Sequence, residues 1–300
     1  VCLCGSTAVR GGTVVHGAGV CAYAGYESGE FLDIKSIDEA SVSAIRDAEE
    51  MSRIRIRDIV VAVPAPFSKL IVTAATIRLD PRKERIKADD IDELISLSLA
   101  KARAPEHVLM HSTPISYTVD GYTSSEAPEG KRAGELSAEV SHMYVQERFL
   151  NTISEILKTL SIEISMCVST PLAESLLLIP EEERVRPAVL IDVGYTHTDV
   201  SLVENAALTN LTTIDMGGAQ FASDLAYGLE IPLETAEQVK RKYTFLQEGE
   251  DKVETIRMVT GVKRVEHGVI ELIVGARADE FVDLLKRSLR MLGVRAETRP

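Results

Sequence analysis

The chain has 300 residues, of which 45% are hydrophobic and 26% are charged, a composition typical of an ordinary globular protein with one large domain or two. Its net charge of −13 argues against nucleic acid as a partner, because phosphate backbones require clustered lysine and arginine. No apolar run approaches the roughly 18–20 residues of a membrane-spanning helix, and the spacing of the four cysteines predicts buried reduced thiols, not a metal site.

The first 64 residues predict strands, then a helix, then another strand. The chain opens on VCLC, which is typical of the middle of a strand, so we expect the natural protein to extend further at its N-terminus. A capping box from Ser36 to Glu39 predicts the start of a helix. The helix would bury one apolar face: Ile37, Ala40, Ala44, Ile45, Ala48 and Met51. The apolar run 56–64 predicts a strand buried on both faces.

Residues 68–142 have the pattern of a compact αβ insertion with turn-rich borders. We expect a strand over 69–79, an amphipathic helix, and two further strands over 108–119 and 136–144. The expected core of this lobe is small: Leu70, Val72, Ile77, Leu94, Ile95, Leu99, Val108 and Val140. An exposed strand edge on such a lobe is a natural template for pairing with a neighbouring subunit.

The rest of the chain predicts a helix over 145–160, a short strand over 165–169 and a helix opened by Pro171. Three more strands follow, at 187–194, 198–205 and 207–216. The next predicted elements are two helices, two strands at 256–260 and 269–274, and a last helix from 277 to 291. The order of three strands and a helix thus occurs twice, which predicts two related halves with a cleft between them.

The stretch LIDVGYTHTDV, residues 190–200, has the residue types of a loop that binds phosphate and magnesium. Asp192 ends an apolar strand, where a carboxylate is costly unless it is paired or bound to a metal. Gly194 permits a sharp turn, Thr196 and Thr198 can offer hydroxyl and N–H groups to phosphate, and Asp199 closes the turn. The same residues also fit a plain hairpin in which the aspartates only stabilise the turn.

Two later segments also fit either nucleotide binding or a purely structural role. Gly217 and Gly218 enter a helix, where N–H groups and the helix dipole favour an anion, although small residues also suit a tight turn. Glu237 and Lys240 share one helical face and could equally form a surface ion pair.

Together and in this order, LIDVGYTHTDV and GGAQFASDLAYGLEIPLETAEQVK resemble the nucleotide-binding half of the actin-like ATPase superfamily. Within it, they are most similar to the bacterial cell-division family FtsA, and the upstream segments agree in order. The resemblance implies an α/β, actin-like (ribonuclease-H-like) fold of two halves with a small inserted αβ subdomain. The implied division is 1–67 with 143–180 for the first half, 68–142 for the insertion, and 181–300 for the second half.

The resemblance also implies ATP and Mg²⁺ as cofactors and eight residues that would hold them. Asp192 would face Mg²⁺ through water. The other seven would contact the nucleotide: Gly194, Thr196 and Thr198 at the β- and γ-phosphates, Gly217 and Gly218 at the phosphates and sugar, and Glu237 and Lys240 at the ribose and adenine.

Three residues depart from the family pattern. Tyr195 and His197 stand where relatives have small residues or threonine in the loop, and His197 fits either a phosphate donor or a solvated loop histidine. Thr170 stands where relatives carry glutamate, and threonine is a poor general base, so at most slow ATP hydrolysis is expected. The family's first phosphate loop, its last adenosine loop and its C-terminal amphipathic helix have no counterpart in these 300 residues. We therefore expect the 300 residues alone to bind ATP poorly.

For partners, the resemblance implies the C-terminal peptide of the tubulin-like FtsZ, self-association into filaments, and other division proteins through residues 68–142. The membrane would be reached only through a C-terminal tail, and the protein would lie in the cytoplasm against the inner face of the cell membrane at the division site. Two alternatives remain open: an adaptor for pilus assembly similar to PilM, and an actin-superfamily enzyme of the kinase or chaperone type.

Overall fold

The computed structural model describes residues 1–8, 12–23, 25–27, 29–80, 85–244, 253–259 and 261–294. The chain divides into two compact units, Val1–Arg186 with Val203–Thr209 and Pro187–Leu202 with Asn210–Pro300.

The first 186 residues contain strands and helices in a mixed order. The strands are β1 (Cys2–Thr7), β2 (Thr13–Gly19), β3 (Tyr26–Glu27), β4 (Glu30–Phe31), β5 (Asp58–Val63), β6 (Ser68–Arg78), β7 (His107–Val119), β8 (Tyr122–Ser124), β9 (Glu135–Gln146) and β10 (Glu163–Ser169). The helices are α1 (Ile34–Ser52), α2 (Ala88–Leu99), α3 (Glu147–Thr159), α4 (Thr170–Leu178) and α5 (Glu181–Arg184), with a 3₁₀ turn at Ala65–Phe67.

From residue 187 onward, three consecutive strands form one sheet: β11 (Ala188–Val193), β12 (Thr198–Glu204) and β13 (Ala207–Ile214). The later elements are α6 (Gly218–Gly228), α7 (Leu233–Lys242), β14 (Val253–Met258), β15 (Gly261–Glu266) and α8 (His267–Met291). Strands β14 and β15 form an antiparallel pair, and Thr260, the last residue of the predicted strand 256–260, lies outside the described residues.

The N-cap of helix α1 lies three residues earlier than the capping box predicts. Asp33 is the N-cap, and its side chain accepts a hydrogen bond from the Ser36 N–H at 3.1 Å. Aspartate and serine are equally good N-cap residues, because each side chain can accept a hydrogen bond from a free N–H of the first turn. The sequence therefore contains two possible N-caps for this helix, Asp33 and Ser36. The predicted buried face is correct except for Met51, which is 68% exposed.

One hydrophobic core of the first unit joins α1, α3 and two small sheets. Strands β1 and β2 pair antiparallel, and β10 pairs parallel to β5. Phe67 stands at the centre of an aromatic group, with ring centroids 4.9 Å from Phe31 and 4.6 Å from Phe149.

The prediction that β5 is buried on both faces is wrong, since its residues alternate between buried and exposed side chains and Val60 is 50% exposed.

Residues 68–146 form a four-stranded antiparallel sheet in the order β6-β9-β7-β8, with α2 against it. Of the predicted core, Ile77, Leu94 and Val140 are buried, whereas Val108 is 40% exposed. The strand β9 continues to Gln146, so the following helix starts at Glu147 and not at 145. The actual core of the lobe also contains residues that the prediction missed: Ala75, Leu79, Ile86, Tyr117, Leu136 and Ala138.

A buried histidine ties helix α2 to this sheet. His142 is 0% exposed; its Nδ1 lies 2.8 Å from Ser112 Oγ, and its Nε2 lies 3.0 Å from Ser98 Oγ and 3.1 Å from Thr73 Oγ1. Burial lowers the pKa of His142, because the charged imidazolium loses its hydration. The ring is therefore a neutral, hydrogen-bonded part of the lobe.

Helix α8 runs over residues predicted as a strand. The run 269–274 is helical, and the helix begins at His267 and not at 277. Ile270 and Val274 lie four apart on the buried face, and Ile273 packs beside them against α6 and α7. An apolar run of six residues has the same composition in a buried strand and in a buried helix, so periodicity alone could not separate them.

No helix in the described ranges is both long enough and apolar enough to span a lipid bilayer.

Candidate functional site

The loop 194–197 connects β11 to β12 and is closed by its own backbone. The Gly194 N–H donates to the His197 carbonyl oxygen at 3.0 Å. A Cβ atom at Gly194 would lie 2.8 Å from that same oxygen, closer than real Cβ contacts allow. The glycine is thus required by the close approach of the two sides of the turn.

This loop is docked on the first turn of α6. The Gly218 N–H donates to the Gly194 carbonyl at 3.0 Å, and the Ala219 N–H donates to the Tyr195 carbonyl at 2.7 Å. The Gly217 N–H is bound by the side chain of Gln220, at 2.8 Å from Oε1. In this conformation the chain itself uses the N–H groups that a helix start normally leaves free.

Helix α7 contributes a charged pair beside the same turn. Lys240 Nζ donates to the Gly218 carbonyl at 3.0 Å, lies 2.6 Å from Glu237 Oε2 and stands 5.1 Å from the centroid of the Tyr195 ring. Burial pushes the pKa of Glu237 upward, but hydrogen bonds from Lys240 and Arg241 and their charges hold it below its usual value. Glu237 is therefore ionised at neutral pH, and it holds Lys240 over the glycine turn.

Two carboxylates flank the loop on its strand side. Asp192, which the sequence predicts to be costly unless paired, has an exposed side chain. Asp199 is 8% exposed and accepts a hydrogen bond from Thr213 Oγ1 at 2.7 Å. Burial raises the pKa of Asp199 and the charge of Asp192 adds to it, while the Thr213 hydrogen bond and His197 act in the opposite direction.

The two threonines of the loop have different roles in this conformation. Thr196 is exposed, and its Oγ1 lies 2.9 Å from His197 Nδ1. Thr198 is 0% exposed, and its hydroxyl donates to the Met216 carbonyl at 2.8 Å. Of the two hydroxyls predicted to face phosphate, only that of Thr196 lies at the surface.

All eight residues predicted from the sequence thus lie on the loop 194–197, its two flanking strands, the start of α6 and helix α7. Sequence reasoning did not assign Thr213 or Gln220, although one supports a carboxylate and the other caps the glycine turn. Thr213 has no local signal, because its partner Asp199 is 14 residues away. Gln220 has one, because a glutamine three residues after the N-cap is the N3 residue of a capping box. The role of Tyr195 in holding this region together was also not predicted.

The donor set around the loop suits a magnesium–phosphate group better than a bare metal ion. In the part of the chain that the structure describes, no three histidine, cysteine, aspartate or glutamate side chains are grouped to hold a metal. Mg²⁺ usually keeps several waters and takes one or two carboxylates together with substrate phosphates. The exposed carboxylate of Asp192 fits that pattern of coordination.

A second feature of this unit is a cavity of about 330 Å³ on the opposite side of α7. Its walls come from α7, β14 and the start of α8, and include Val239, Ile256 and Ile270 together with the basic side chains of Lys242 and Arg257.

A buried imidazole, that of His267, lines the same cavity. The residue is 6% exposed and its ring stacks on Tyr243, with a centroid distance of 6.0 Å. Its Nδ1 has no hydrogen-bond partner among the described residues, although Glu254 Oε1 lies 3.5 Å away. A buried polar atom without a bond is costly, so a group that bonds to it would be favoured here.

Comparison with known proteins identifies the class of this fold. The sequence model "Cell division protein FtsA" matches residues 189–298, and the model "SHS2 domain inserted in FTSA" matches residues 67–144. Among solved structures, the PilM–PilN type IV pilus biogenesis complex is similar over 98% of this chain and 74% of the other, with a TM-score of 0.59 and 17% identity. The fold is therefore α/β and actin-like, with a small inserted αβ subdomain, as predicted.

Curated relatives narrow the class further. The cell division protein FtsA of Buchnera aphidicola subsp. Baizongia pistaciae is 26% identical over 282 residues, covering 92% of this chain and 66% of its own length. FtsA of Bacillus subtilis is 22% identical over 285 residues, covering 93% of this chain and 65% of its own. The chain thus spans about two thirds of the length of these relatives. The chain is an FtsA-like protein, as the motifs predicted.

Proposed function

We propose that the chain is the ATP-binding body of an FtsA-like scaffold of cell division. In this role it binds Mg·ATP, self-associates into filaments and links the FtsZ ring to the cytoplasmic membrane at the division site. The observation that supports ATP binding is the docking of the loop 194–197 on Gly217 and Gly218, with Glu237 and Lys240 fixed beside it. Three segments that are distant in sequence are joined there by hydrogen bonds.

Each side chain has a task in this proposal that matches its surroundings. Asp192 is exposed and would hold Mg²⁺ through water, and Thr196 would offer its hydroxyl to a phosphate oxygen. Glu237 is ionised and would accept hydrogen bonds from the ribose, while Lys240 would contact the adenine side. Magnesium would supply charge neutralisation of the phosphates.

Hydrolysis would be slow in this protein. Thr170 opens helix α4, at the position where the resemblance expects an acid that orients the attacking water. A hydroxyl cannot accept a proton at neutral pH as a carboxylate can. The scaffold would therefore respond to nucleotide occupancy more than to turnover.

We further propose that the cavity behind α7 receives the C-terminal peptide of FtsZ. An apolar floor beside the basic groups of Lys242 and Arg257 suits a peptide that inserts one apolar side chain next to a carboxylate. The unbonded Nδ1 of His267 offers one further polar contact inside the cavity.

Self-association and the recruitment of other division proteins would use the lobe 68–142, which has its own sheet and its own core.

The ATP proposal is tested with Asp192→Ala in the full natural chain. Because Asp192 is exposed, the unfolding free energy should change by no more than about 0.5 kcal/mol, whereas Mg·ATP binding by calorimetry should be lost. Asp47→Ala, an exposed aspartate on α1, is the control and should bind normally. Undiminished Mg·ATP binding by the Asp192 variant would leave the residue as a plain hairpin aspartate and contradict the proposal.

The peptide proposal is tested by fluorescence anisotropy with a labelled FtsZ C-terminal peptide. Combining Lys242→Ala with Arg257→Ala should weaken binding about tenfold or more, because both cations line the cavity. Lys286→Ala, an exposed lysine of α8 outside the cavity, should leave binding unchanged. Equal affinity in all these proteins would place the peptide elsewhere.

A further inference from the structure

The ring of Tyr195 lies against two residues to which the proposed function assigns the nucleotide, Gly218 and Lys240. Its centroid is 5.1 Å from Lys240 Nζ, which is within the range of a cation–π interaction. A Cβ atom added at Gly218 would lie 3.7 Å from Tyr195 Cδ2, in ordinary van der Waals contact. The ring therefore stands beside both the glycine turn at the start of α6 and the ammonium group of α7.

The ammonium group of Lys240 has three partners in this conformation. It lies 2.6 Å from Glu237 Oε2, donates to the Gly218 carbonyl at 3.0 Å, and has the ring of Tyr195 as its third partner. An ammonium group has three N–H donors, so three partners match its capacity, and a nucleotide that contacts Lys240 must replace one of them. The ring is the partner most easily replaced, because a cation–π contact at an exposed site is weaker than a charge-assisted hydrogen bond.

The ring can leave Lys240 without any change in the loop that carries it. The backbone of Tyr195 is fixed to α6, because its carbonyl accepts a hydrogen bond from the Ala219 N–H at 2.7 Å. The residue is 51% exposed, so a change of rotamer moves the ring into solvent. Exposed side chains change rotamer on the picosecond-to-nanosecond timescale. The ring would therefore affect the affinity for a nucleotide and not the rate at which the nucleotide enters.

We propose that the side chain of Tyr195 is a gate on the nucleotide site of this chain, closed when the ring lies on Lys240 and open when the ring turns toward solvent. The inference rests on the proposed function and adds a residue that lowers the affinity of that same site. The family resemblance places a small residue at this position, so the gate depends on a feature of this chain's own sequence. Only open molecules bind nucleotide, and a closed state favoured by one exposed cation–π contact reduces the apparent affinity about three- to sixfold.

The test is calorimetry of Mg·ATP binding to variants of the full natural chain. Tyr195→Ala should bind Mg·ATP about three- to sixfold more tightly than the wild type. Tyr195→Phe keeps the aromatic face over Lys240 and should bind as the wild type does. Tyr227→Ala is the matched control, because Tyr227 is 90% exposed on α6 of the same unit, and it should leave the affinity unchanged.

A fluorescence measurement follows the ring itself. The 300 residues contain no tryptophan, so Tyr195→Trp adds one indole, whose emission is obtained by subtracting that of the wild type. Quenching of this emission by acrylamide should increase at saturating Mg·ATP, because the ring of the open gate is more exposed to solvent. Quenching that stays the same or decreases would mean that the ring remains on Lys240 or is covered by the nucleotide, and either result overturns the gate.

The outcomes separate this inference from the function on which it rests. If Tyr195→Ala binds Mg·ATP with the affinity of the wild type, or more weakly, the gate is overturned and the ATP site is left intact. If neither the wild type nor Tyr195→Ala binds Mg·ATP, the proposed function itself is refuted, and this inference with it.

Discussion

Gly217→Ala should damage both the stability of the second unit and its nucleotide site. An added Cβ would lie 2.5 Å from the Gly194 carbonyl oxygen and 2.7 Å from that of Tyr195. Both oxygens belong to backbone, so the loop 194–197 and the start of α6 must separate. The two hydrogen bonds that dock the loop, from the N–H groups of Gly218 and Ala219, would lengthen or break.

The cost can be worked out from these contacts. Two backbone hydrogen bonds contribute a net of about 1 kcal/mol each, and displaced packing costs about 1–3 kcal/mol. Replacing glycine also restricts the unfolded chain, which returns roughly 0.4–1 kcal/mol. The expected loss of unfolding free energy is therefore about 2–5 kcal/mol.

Urea unfolding followed by circular dichroism measures the stability, and calorimetry with Mg·ATP measures the site. Gly275→Ala is the matched control, because an added Cβ there meets nothing within 4 Å and Gly275 lies inside α8. That variant should gain about 0.5–1 kcal/mol from helix propensity. If Gly217→Ala is as stable as the wild type and binds Mg·ATP equally well, the docking of the loop on α6 is not required, and the reasoning fails.

Three further predictions concern the inserted lobe. Burial lowers the pKa of His142 below 6.5 in the folded protein, so the unfolded chain takes up the proton first as the pH falls. The free energy of unfolding should therefore be highest above pH 6.5 and fall on acidification, with a lower urea midpoint at pH 5 than at pH 7. His142→Gln should make the difference between these two midpoints smaller. Leu94→Ala removes a side chain that is 0% exposed and should cost about 2–5 kcal/mol in the same assay, whereas Leu97→Ala, at 43% exposure, should cost under about 1 kcal/mol. Deleting 68–142 from the full natural chain should spare Mg·ATP binding but impair self-association in sedimentation, and normal filaments without the lobe would contradict its assigned role.

The sequence predicted the existence of most elements because their patterns are strong and local. The glycine pair at the start of α6 and the amphipathic pattern of α2 both correspond to observed elements. Errors arise where two local signals compete. Asp33 and Ser36 are both good caps, and the run 269–274 suits a strand until its partners on α6 and α7 are known.

The sequence predicts which segments form the candidate site but not how they are bonded to one another. The nucleotide-binding roles of Gly217, Gly218, Glu237 and Lys240 come from the resemblance and stay a prediction. The order of motifs does not reveal that loop carbonyls use the first N–H groups of α6, or that the Thr198 hydroxyl is turned toward Met216. Those facts depend on how three segments pack, which no short window of sequence contains.

The sheet of the inserted lobe has two edges that differ as starting points for misassembly. Toward one edge, β7 pairs with β9 through two irregularities of register, at 109–111 and 114–116, and it carries Pro114, which lacks an N–H. The short edge strand β8 pairs with β7 only over Tyr117–Val119. On the other edge, β6 pairs with β9 in unbroken register over eleven residues, but Lys101 Nζ donates to the Ala74 carbonyl at 2.7 Å. Proline, bulges and edge lysines are features by which folded sheets avoid uncontrolled aggregation. At the high concentrations of overexpression, the regular edge at β6 is therefore the more favourable starting point for pairing between lobes, and the cations along it, Lys69, Arg78 and Lys101, oppose that pairing.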